Sequence, residues 1–418
     1  MLKQNFSTKS LLRITGRSEI LKFSLGRNPD DYKEKLTEVS ETISSEPFTF
    51  SKITKKIIGK KIIYCTDDAN EHYALKKISN DLKRLYRLTF SNRDEISEQV
   101  LKLLETASAY SIIRIDIKSF YESVSFGEVL SKISNDKLLS AKSISLIQQL
   151  HQSTCKGLPR GLSISPILSE IFMRDFDRKI RGIQNVYYYA RYVDDIIIIS
   201  FEKSQKIYDA LCSVVSEFNL SINEKLYKSD ICIVNNESSE IRYSFDYLGY
   251  KYIIKNQEYK SKRVVDVELS DDKKRKIKTR IIHSLLDRVY GKETPAIKCK
   301  RLIDRLNMLS SNYPISSPQK IEGRGTLRAG IFYSNRLVNK SGVFNEFNSF
   351  LSRAMNTQKD NFFGRTMKQI TATEKTAIRN SICFVRGFKE KTFLDLSPDD
   401  MKILKSCWKH KNHKRRRR

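Results

Sequence analysis

The chain has 418 residues, enough for two or three domains with sizeable cores, and an apolar content of 39% that fits a folded protein. Its 77 Lys and Arg against 48 Asp and Glu give a formal charge of +29, which calls for a polyanionic partner, either nucleic acid or an anionic membrane surface. No segment reaches the roughly 18 apolar residues of a membrane span, "MLKQNFSTKSLLRITGR" lacks a signal-peptide core, and seven scattered cysteines without a C-x-x-C pair indicate neither disulfide framework nor zinc site. A cytoplasmic protein with reduced thiols is expected, with no membrane partner.

Residues 1–110 alternate basic, amphipathic segments with short β-like runs such as "KKIIYC" (60–65). From 111 to about 255 short β-branched strands alternate with helical stretches, the pattern of an α/β unit. In "SIIRIDIKSFYESV", Ile113, Ile115 and Ile117 share one strand face, so Arg114, Asp116 and Lys118 take the other, and Asp116 is expected to point out of the core.

"GLPRGLSISPILSEIFMRDFD" (157–177) has Gly157 and Gly161 for close backbone approach, then Ser165 as an expected helix cap before Pro166. Ile167, Leu168, Ile171 and Phe172 give the helix an apolar face. An ordinary turn into a core helix accounts for this segment as well as a nucleotide-binding turn does.

"YYYARYVDDIIIIS" (187–200) reads as two strands joined by a tight turn at Asp194 and Asp195. Two carboxylates with ordinary pKa values of about 3.9 repel one another at pH 7 unless a cation neutralises them. If the hairpin pairs beside the strand of Asp116, that carboxylate joins them. Hard oxygen ligands on a rigid sheet suit Mg²⁺, and two ions roughly 3.5–4 Å apart can serve an in-line phosphoryl displacement. An Asp-Asp joint is also a common solvated turn; the third aspartate, in order and on a strand, favours metal.

After 265 the pattern is helical. In "SDDKKRKIKTRIIHSLLDRVYG", Ser270 caps, Asp271 and Asp272 suit the positive end of the dipole, and Gly291 stops the helix. Ile277, Ile281, Leu285 and Val289 form an apolar stripe, with Lys273, Lys274, Lys278 and Arg280 elsewhere. Residues 310–330 read as a loop, and the last eighteen residues hold nine Lys or Arg and no acid.

Three ordered segments resemble motifs A, B and C of reverse transcriptases: Asp116 with Phe120 and Tyr121, "LPRG" (158–161) with "SP" (165–166), and "YVDD" (192–195). "LSIN" (220–223) is similar to the start of motif D, and "YLGY" (247–250) to the primer grip of motif E. The resemblance, over residues 80–340, implies an α/β (α+β) right-hand polymerase. Fingers with an N-terminal extension would occupy 1–110, and a palm with an antiparallel sheet 111–255, carrying a fingers insertion at about 125–160. A helical thumb would follow at 256–345, then a helical C-terminal extension with a basic tail at 346–418.

The same resemblance implies that Asp116, Asp194 and Asp195 are catalytic and hold two Mg²⁺ ions, or Mn²⁺, with the backbone carbonyl of Ile117 as a further ligand. Tyr121 is placed as the steric gate that favours dNTPs. Arg87, Arg93, Arg160, Gly161 and Lys225 are placed at the nucleotide, and Tyr192, Leu248, Gly249, Lys274, Lys278, Arg324 and Arg328 on nucleic acid. Arg87 and Arg93 read equally well as solvated cations. Two departures stand out: most relatives have Gln at the place of Arg160, and Lys225 follows Asn223 by two residues where the family's Lys follows by three.

"LPRGLSISPILSE" and "LSSNYPI" followed by "AGIFYSNRLVN" are most similar to bacterial defence-associated and abortive-infection reverse transcriptases, more so than to retron or group II intron enzymes. That likeness implies antiviral defence, RNA-directed DNA synthesis on a cognate non-coding RNA and a DNA product. It further implies a homo-oligomer and, for a chain resembling the smaller member of a two-polymerase defence system, a second reverse transcriptase as partner. Untemplated or protein-primed synthesis at the same site, or an RNA-binding scaffold with secondary catalysis, are the alternatives. Nothing after 265 resembles a ribonuclease H domain.

Overall fold

The computed structural model describes residues 2–59, 61–201, 204–224, 230–234, 242–255, 262–315 and 327–409. The chain forms two compact units, residues 1–93 with 109–235 and residues 94–108 with 236–418.

The first unit opens with helices α1 (Thr8–Leu12), α2 (Arg17–Lys22) and α3 (Pro29–Ser44). Strands β1 (Thr54–Ile58) and β2 (Lys61–Cys65) then pair as an antiparallel hairpin, of which the sequence pattern gave only the second. Helix α4 (Ala69–Leu85) is capped by the Asp68 side chain and buries Tyr73, Leu75, Ile78 and Leu82, with Glu71, Lys77 and Asp81 buried as well. Helix α5 (Arg93–Leu104) lies in the second unit apart from its first residue.

Strand β3 (Tyr110–Asp116) returns to the first unit, followed by the short α6 (Phe120–Ser123), α7 (Phe126–Asp136), α8 (Ala141–Ser153) and α9 (Ser165–Arg181). Strands β4 (Val186–Tyr192) and β5 (Asp195–Ser200), helix α10 (Ser204–Glu217) and strand β6 (Asp230–Val234) complete it. The sheet order is β4-β5-β3-β6, with every neighbour antiparallel, so the central pair is β5 against β3. Ile113, Ile115, Ile117, Ile196 and Ile198 press one sheet face onto the core formed by Ile167, Leu168, Ile171 and Phe172 of α9 and Ile207 and Leu211 of α10. The apolar face expected for α9 is therefore present. Its cap is not: the helix begins at Ser165, whose hydroxyl donates to the Pro159 carbonyl at 2.6 Å and closes the preceding turn instead.

The second unit carries the antiparallel sheet β7 (Arg242–Tyr247), β8 (Tyr250–Lys255) and β9 (Val264–Leu269). It continues with helices α11 (Asp271–Tyr290), α12 (Pro295–Ser310), α13 (Gly342–Met355), α14 (Phe362–Met367), α15 (Ala372–Ser381), α16 (Phe384–Lys389) and α17 (Pro398–Lys405). Helix α11 follows its sequence pattern: Ser270 accepts from the Lys273 N–H, Asp271 and Asp272 occupy the first turn, and Ile277, Ile281 and Leu285 are buried. Within the expected loop at 310–330, Asn312–Pro314 and Arg328–Gly330 pair as a short ribbon, while 316–326 lie outside the described residues. The tail beyond 409 does as well. No helix among the described residues is long and apolar enough to cross a membrane.

Candidate active site

The β3–β5 register sets Asp116 opposite Asp195. Tyr192 pairs with Asp195 across the β4–β5 hairpin, so the two-residue turn consists of Val193 and Asp194. This corrects the expectation of an Asp194–Asp195 turn by one residue: Asp195 is already the first residue of a central strand. Val193 takes φ +60°, a conformation that costs a β-branched residue of order 1–3 kcal/mol and is tolerated where surrounding contacts impose it.

One carboxylate oxygen each from Asp116, Asp194 and Asp195 lies within 4.8 Å of the other two. The pair separated by 78 residues in sequence thus converges as expected. Asp116, however, does not look out into solvent; it is only 5% exposed, and every residue of β3 is buried. Both faces of a central strand are covered, and a two-residue alternation separates the faces without saying whether the polar one is open.

Three contacts shape the cluster. The Asn223 side chain donates to Asp116 Oδ2 at 2.8 Å, and its backbone N–H donates to the Asp116 carbonyl, also at 2.8 Å. The Arg114 guanidinium lies 3.7 Å from Asp195 Oδ1, on the strand face shared by both carboxylates. The Ile117 N–H donates to the Asp194 carbonyl at 3.0 Å; since N–H and C=O of one extended residue share a side, the Ile117 carbonyl also faces the turn.

A second layer holds the hairpin from α9. Arg191 forks onto Glu170 (Nη1 to Oε1 3.0 Å, Nη2 to Oε2 2.7 Å) and onto Asp177 (Nε to Oδ1 2.9 Å, Nη2 to Oδ2 2.9 Å). Its Nη1 also donates to the Val193 carbonyl at 3.2 Å, reaching the strained turn itself. Burial alone would lower the Arg191 pKa, but the bonds to Asp177 and Glu170 outweigh it, and the guanidinium stays charged. Tyr189 donates to Asp177 at 2.6 Å.

The turn at 158–161 meets α6 closely. The Leu158 N–H donates to the Tyr121 carbonyl at 2.7 Å, and a Cβ at Gly157 would sit 2.5 Å from the Glu122 carbonyl. Arg160 forks onto Glu122 (Nε to Oε1 3.1 Å, Nη2 to Oε2 3.0 Å), with its guanidinium 5.1 Å from the Tyr121 ring centroid. The Arg160 carbonyl accepts from the Tyr64 N–H of β2 at 2.7 Å. Burial raises the Tyr121 pKa above its ordinary value, with Arg160 opposing and Asp194 assisting, so the phenol is neutral at physiological pH. Burial pushes Glu122 up, but the hydrogen bonds from Arg160 hold it below the usual carboxylate range. A depressed carboxylate keeps its pairing above the unfolded pKa and loses it only as pH falls through the folded one, so this fork is intact at neutral pH.

Gly161 has φ +102°, and a Cβ there would lie 2.5 Å from the Tyr64 carbonyl and 2.6 Å from Ile63 Cγ2. Gly161→Ala is expected to cost on the order of 2 kcal/mol or more, from the left-handed backbone and the clash together. Urea unfolding checks this; a loss below about 0.5 kcal/mol would show that the β2 hairpin yields easily.

The remaining predicted residues are dispersed. Arg87 is exposed, with φ +48°, just past the end of α4, and Arg93 opens α5. Tyr192, half-buried, ends β4. Leu248 (φ +46°) and Gly249 (φ +82°) form the two-residue turn between β7 and β8, where Tyr247 pairs with Tyr250. Lys274 is paired with Glu268 at 2.9 Å and Lys278 with Glu346, so each charge already meets an acid within its own unit. Arg328 is exposed and donates to the Tyr333 hydroxyl at 2.8 Å. Lys225 and Arg324 lie outside the described residues.

The sequence pattern passed over Asn223, Glu122, Arg114 and the Glu170–Asp177–Arg191 set. Signals existed for some: Arg114 shares the Asp116 face by the two-residue period, and Glu170 and Asp177 stand seven residues apart, on one side of a helix.

Residues 45–252 match the family model described as Reverse transcriptase (RNA-dependent DNA polymerase). Among solved structures, the chain is similar to apo telomerase from Candida tropicalis truncated from its C-terminal domain, at 17% identity and TM-score 0.36, over 54% of this chain and 56% of that one. It is similar to apo telomerase from the same organism at 14% identity and TM-score 0.38, covering 87% and 66% of the two chains. Candida albicans telomerase in complex with a fragment of telomeric RNA matches at 12% identity and TM-score 0.33, over 73% and 55%. The chain thus spans 55% to 66% of the length of these solved chains.

Proposed function

With residues 45–252 forming a reverse transcriptase domain, of the family of RNA-directed DNA polymerases, we propose that this protein makes DNA from dNTPs on an RNA template at Asp116, Asp194 and Asp195. The observation that carries this is the meeting of three carboxylates from motif A and motif C within 4.8 Å. Such a set of hard oxygen donors fits divalent metal. Two Mg²⁺ ions, with Mn²⁺ as substitute, would be held there by the three aspartates and the Ile117 carbonyl. When bound, they would activate the primer hydroxyl and stabilise the departing pyrophosphate.

The chain's own residues do the positioning. Asn223 fixes the orientation of the Asp116 carboxylate, Arg114 offsets the charge of Asp195, and Arg191 holds the turn that presents Asp194. Tyr121, neutral and half-buried beside Arg160, is the residue to meet the sugar of an incoming nucleotide. Arg87, Arg93, Gly161 and Lys225 are proposed at the triphosphate and base, and Tyr192, Leu248, Gly249, Lys274, Lys278, Arg324 and Arg328 along the nucleic acid. The formal charge of +29 supports an RNA template and a DNA product as partners. In this reading residues 1–110 are the fingers, 111–255 the palm, 256–345 the thumb and 346–418 a basic extension.

The finer assignment, phage defence with a cognate non-coding RNA, homo-oligomers or a second reverse transcriptase, is supported by the "LPRGLSISP" form of motif B and the 309–339 segment. Primer extension with purified protein on defined RNA templates, followed by sequencing of the product, tests the central proposal. Product complementary to the added RNA is expected. Homopolymer or random product made equally without RNA would replace templated by untemplated synthesis, which the Arg160 departure makes the natural second outcome.

A further inference from the structure

We infer that Glu122 and Arg160 form a specificity device, the fork between them bracing the Tyr121 ring so that the enzyme distinguishes deoxyribose from ribose. The inference rests on the proposal that Tyr121 is the sugar gate. It adds what neither residue's motif position assigns: a partner for Arg160 and a task for Glu122.

A gate discriminates by refusing to move. One extra hydroxyl can be accommodated if the ring yields by a fraction of an ångström, so the supports of the ring set how well it rejects ribose. Tyr121 is tied from three directions. Its carbonyl accepts from Leu158 at 2.7 Å, Phe120 meets its ring edge-on at 5.4 Å, and the Arg160 guanidinium lies 5.1 Å from its centroid. The first two contacts are backbone and core. The third is a side chain that could swing away, since Arg160 stands at the open side of the turn with its side chain 24% exposed.

Glu122 prevents that swing. Its two oxygens take Nε and Nη2 together at 3.1 and 3.0 Å, fixing the guanidinium plane as well as its position, which one hydrogen bond would not do. A lysine in place of Arg160 could supply the charge but neither the fork nor a flat face for the ring. Arg160 is itself anchored through its carbonyl to Tyr64 of β2, so the fork joins the hairpin, the 158–161 turn and α6 at the gate.

The test is single-nucleotide incorporation with a dNTP and the matching rNTP, compared as the ratio of kcat/KM. Tyr121→Val serves as the reference, and Glu122→Gln, Arg160→Gln, Arg160→Lys and the Glu122→Gln/Arg160→Gln double variant are measured beside it. Each single change is expected to lower the dNTP preference about 5- to 10-fold through faster rNTP incorporation. Glu122→Gln should keep dNTP kcat/KM within about threefold, and the double variant should fall no further than either single one. Restoration of the preference by Arg160→Lys would overturn the fork, since charge alone would then suffice. A ratio unchanged in Glu122→Gln while Tyr121→Val collapses it would overturn the inference and leave the gate standing, as would losses that add in the double variant. An unchanged ratio in Tyr121→Val would sink the gate reading itself, and the brace with it.

Discussion

Replacing Asp194 by Asn is expected to lower nucleotide incorporation by about 10³-fold or more, equivalent to roughly 4 kcal/mol of lost transition-state stabilisation, while the fold persists. Asp194 is half-buried in the two-residue turn between β4 and β5, outside both strands. Three carboxylates within 4.8 Å repel one another in the absence of cation. The variant should therefore unfold at the same or higher urea concentration than the parent when both are held in chelator. Added Mg²⁺ should stabilise the parent and not the variant, because only a ligand bound to the native state shifts its stability. Incorporation that survives in the Asn variant would remove the cluster from the chemistry, and equal stabilisation by Mg²⁺ in both would remove it from metal binding.

The second large effect concerns stability. Arg191→Ala leaves Glu170 and Asp177 facing one another beneath the hairpin with side chains only 19% and 14% exposed, and breaking such a buried set costs about 3–5 kcal/mol. Replacing the whole set, Arg191→Met with Glu170→Leu and Asp177→Leu, should recover most of that loss, since apolar side chains of similar volume often substitute for buried ion pairs without penalty. Activity should not return with stability. The Val193 carbonyl loses its donor in both variants, and with it the contact that holds a β-branched residue at φ +60°. Urea unfolding and primer extension on the same samples separate the two; recovery of both would assign Arg191 to the core alone.

These two sites differ in how legible they were in the sequence. The clustered aspartates were legible because charge in the middle of isoleucine runs conflicts with burial, and such conflicts point to function. The order of β3, the hairpin and α9 followed from two-residue and helical periods, as did the cap and stripe of α11. What the periods could not give was the state of the second sheet face, so Asp116 was expected outward and is buried. Nor could they place a turn to the residue: Asp-Asp is ordinary turn chemistry and Val at positive φ is not, and the Arg191 contact that meets the Val193 carbonyl lies outside any local preference. The cap expected at Ser165 failed because its hydroxyl donates instead to the Pro159 carbonyl, which also accepts from the Leu162 N–H at 3.4 Å. The two forks, Arg160 with Glu122 and Arg191 with Glu170 and Asp177, join residues 14 to 38 positions apart, beyond the reach of any local pattern.

Asn223 carries one more implication. It grips Asp116 twice, by side chain and by main chain, across 107 positions of sequence, and Ile222 beside it bridges Ile117. Adjacent residues of an extended segment look in opposite directions, so dropping a single residue between Leu220 and Asn223, with the upstream register kept, would turn the amide away and set Glu224, another carboxylate, against Asp116 in its place. On the proposed role of Asp116, the count of residues through this stretch matters as much as the acids themselves, and drift in loop length that other surface segments absorb is expected to abolish incorporation here.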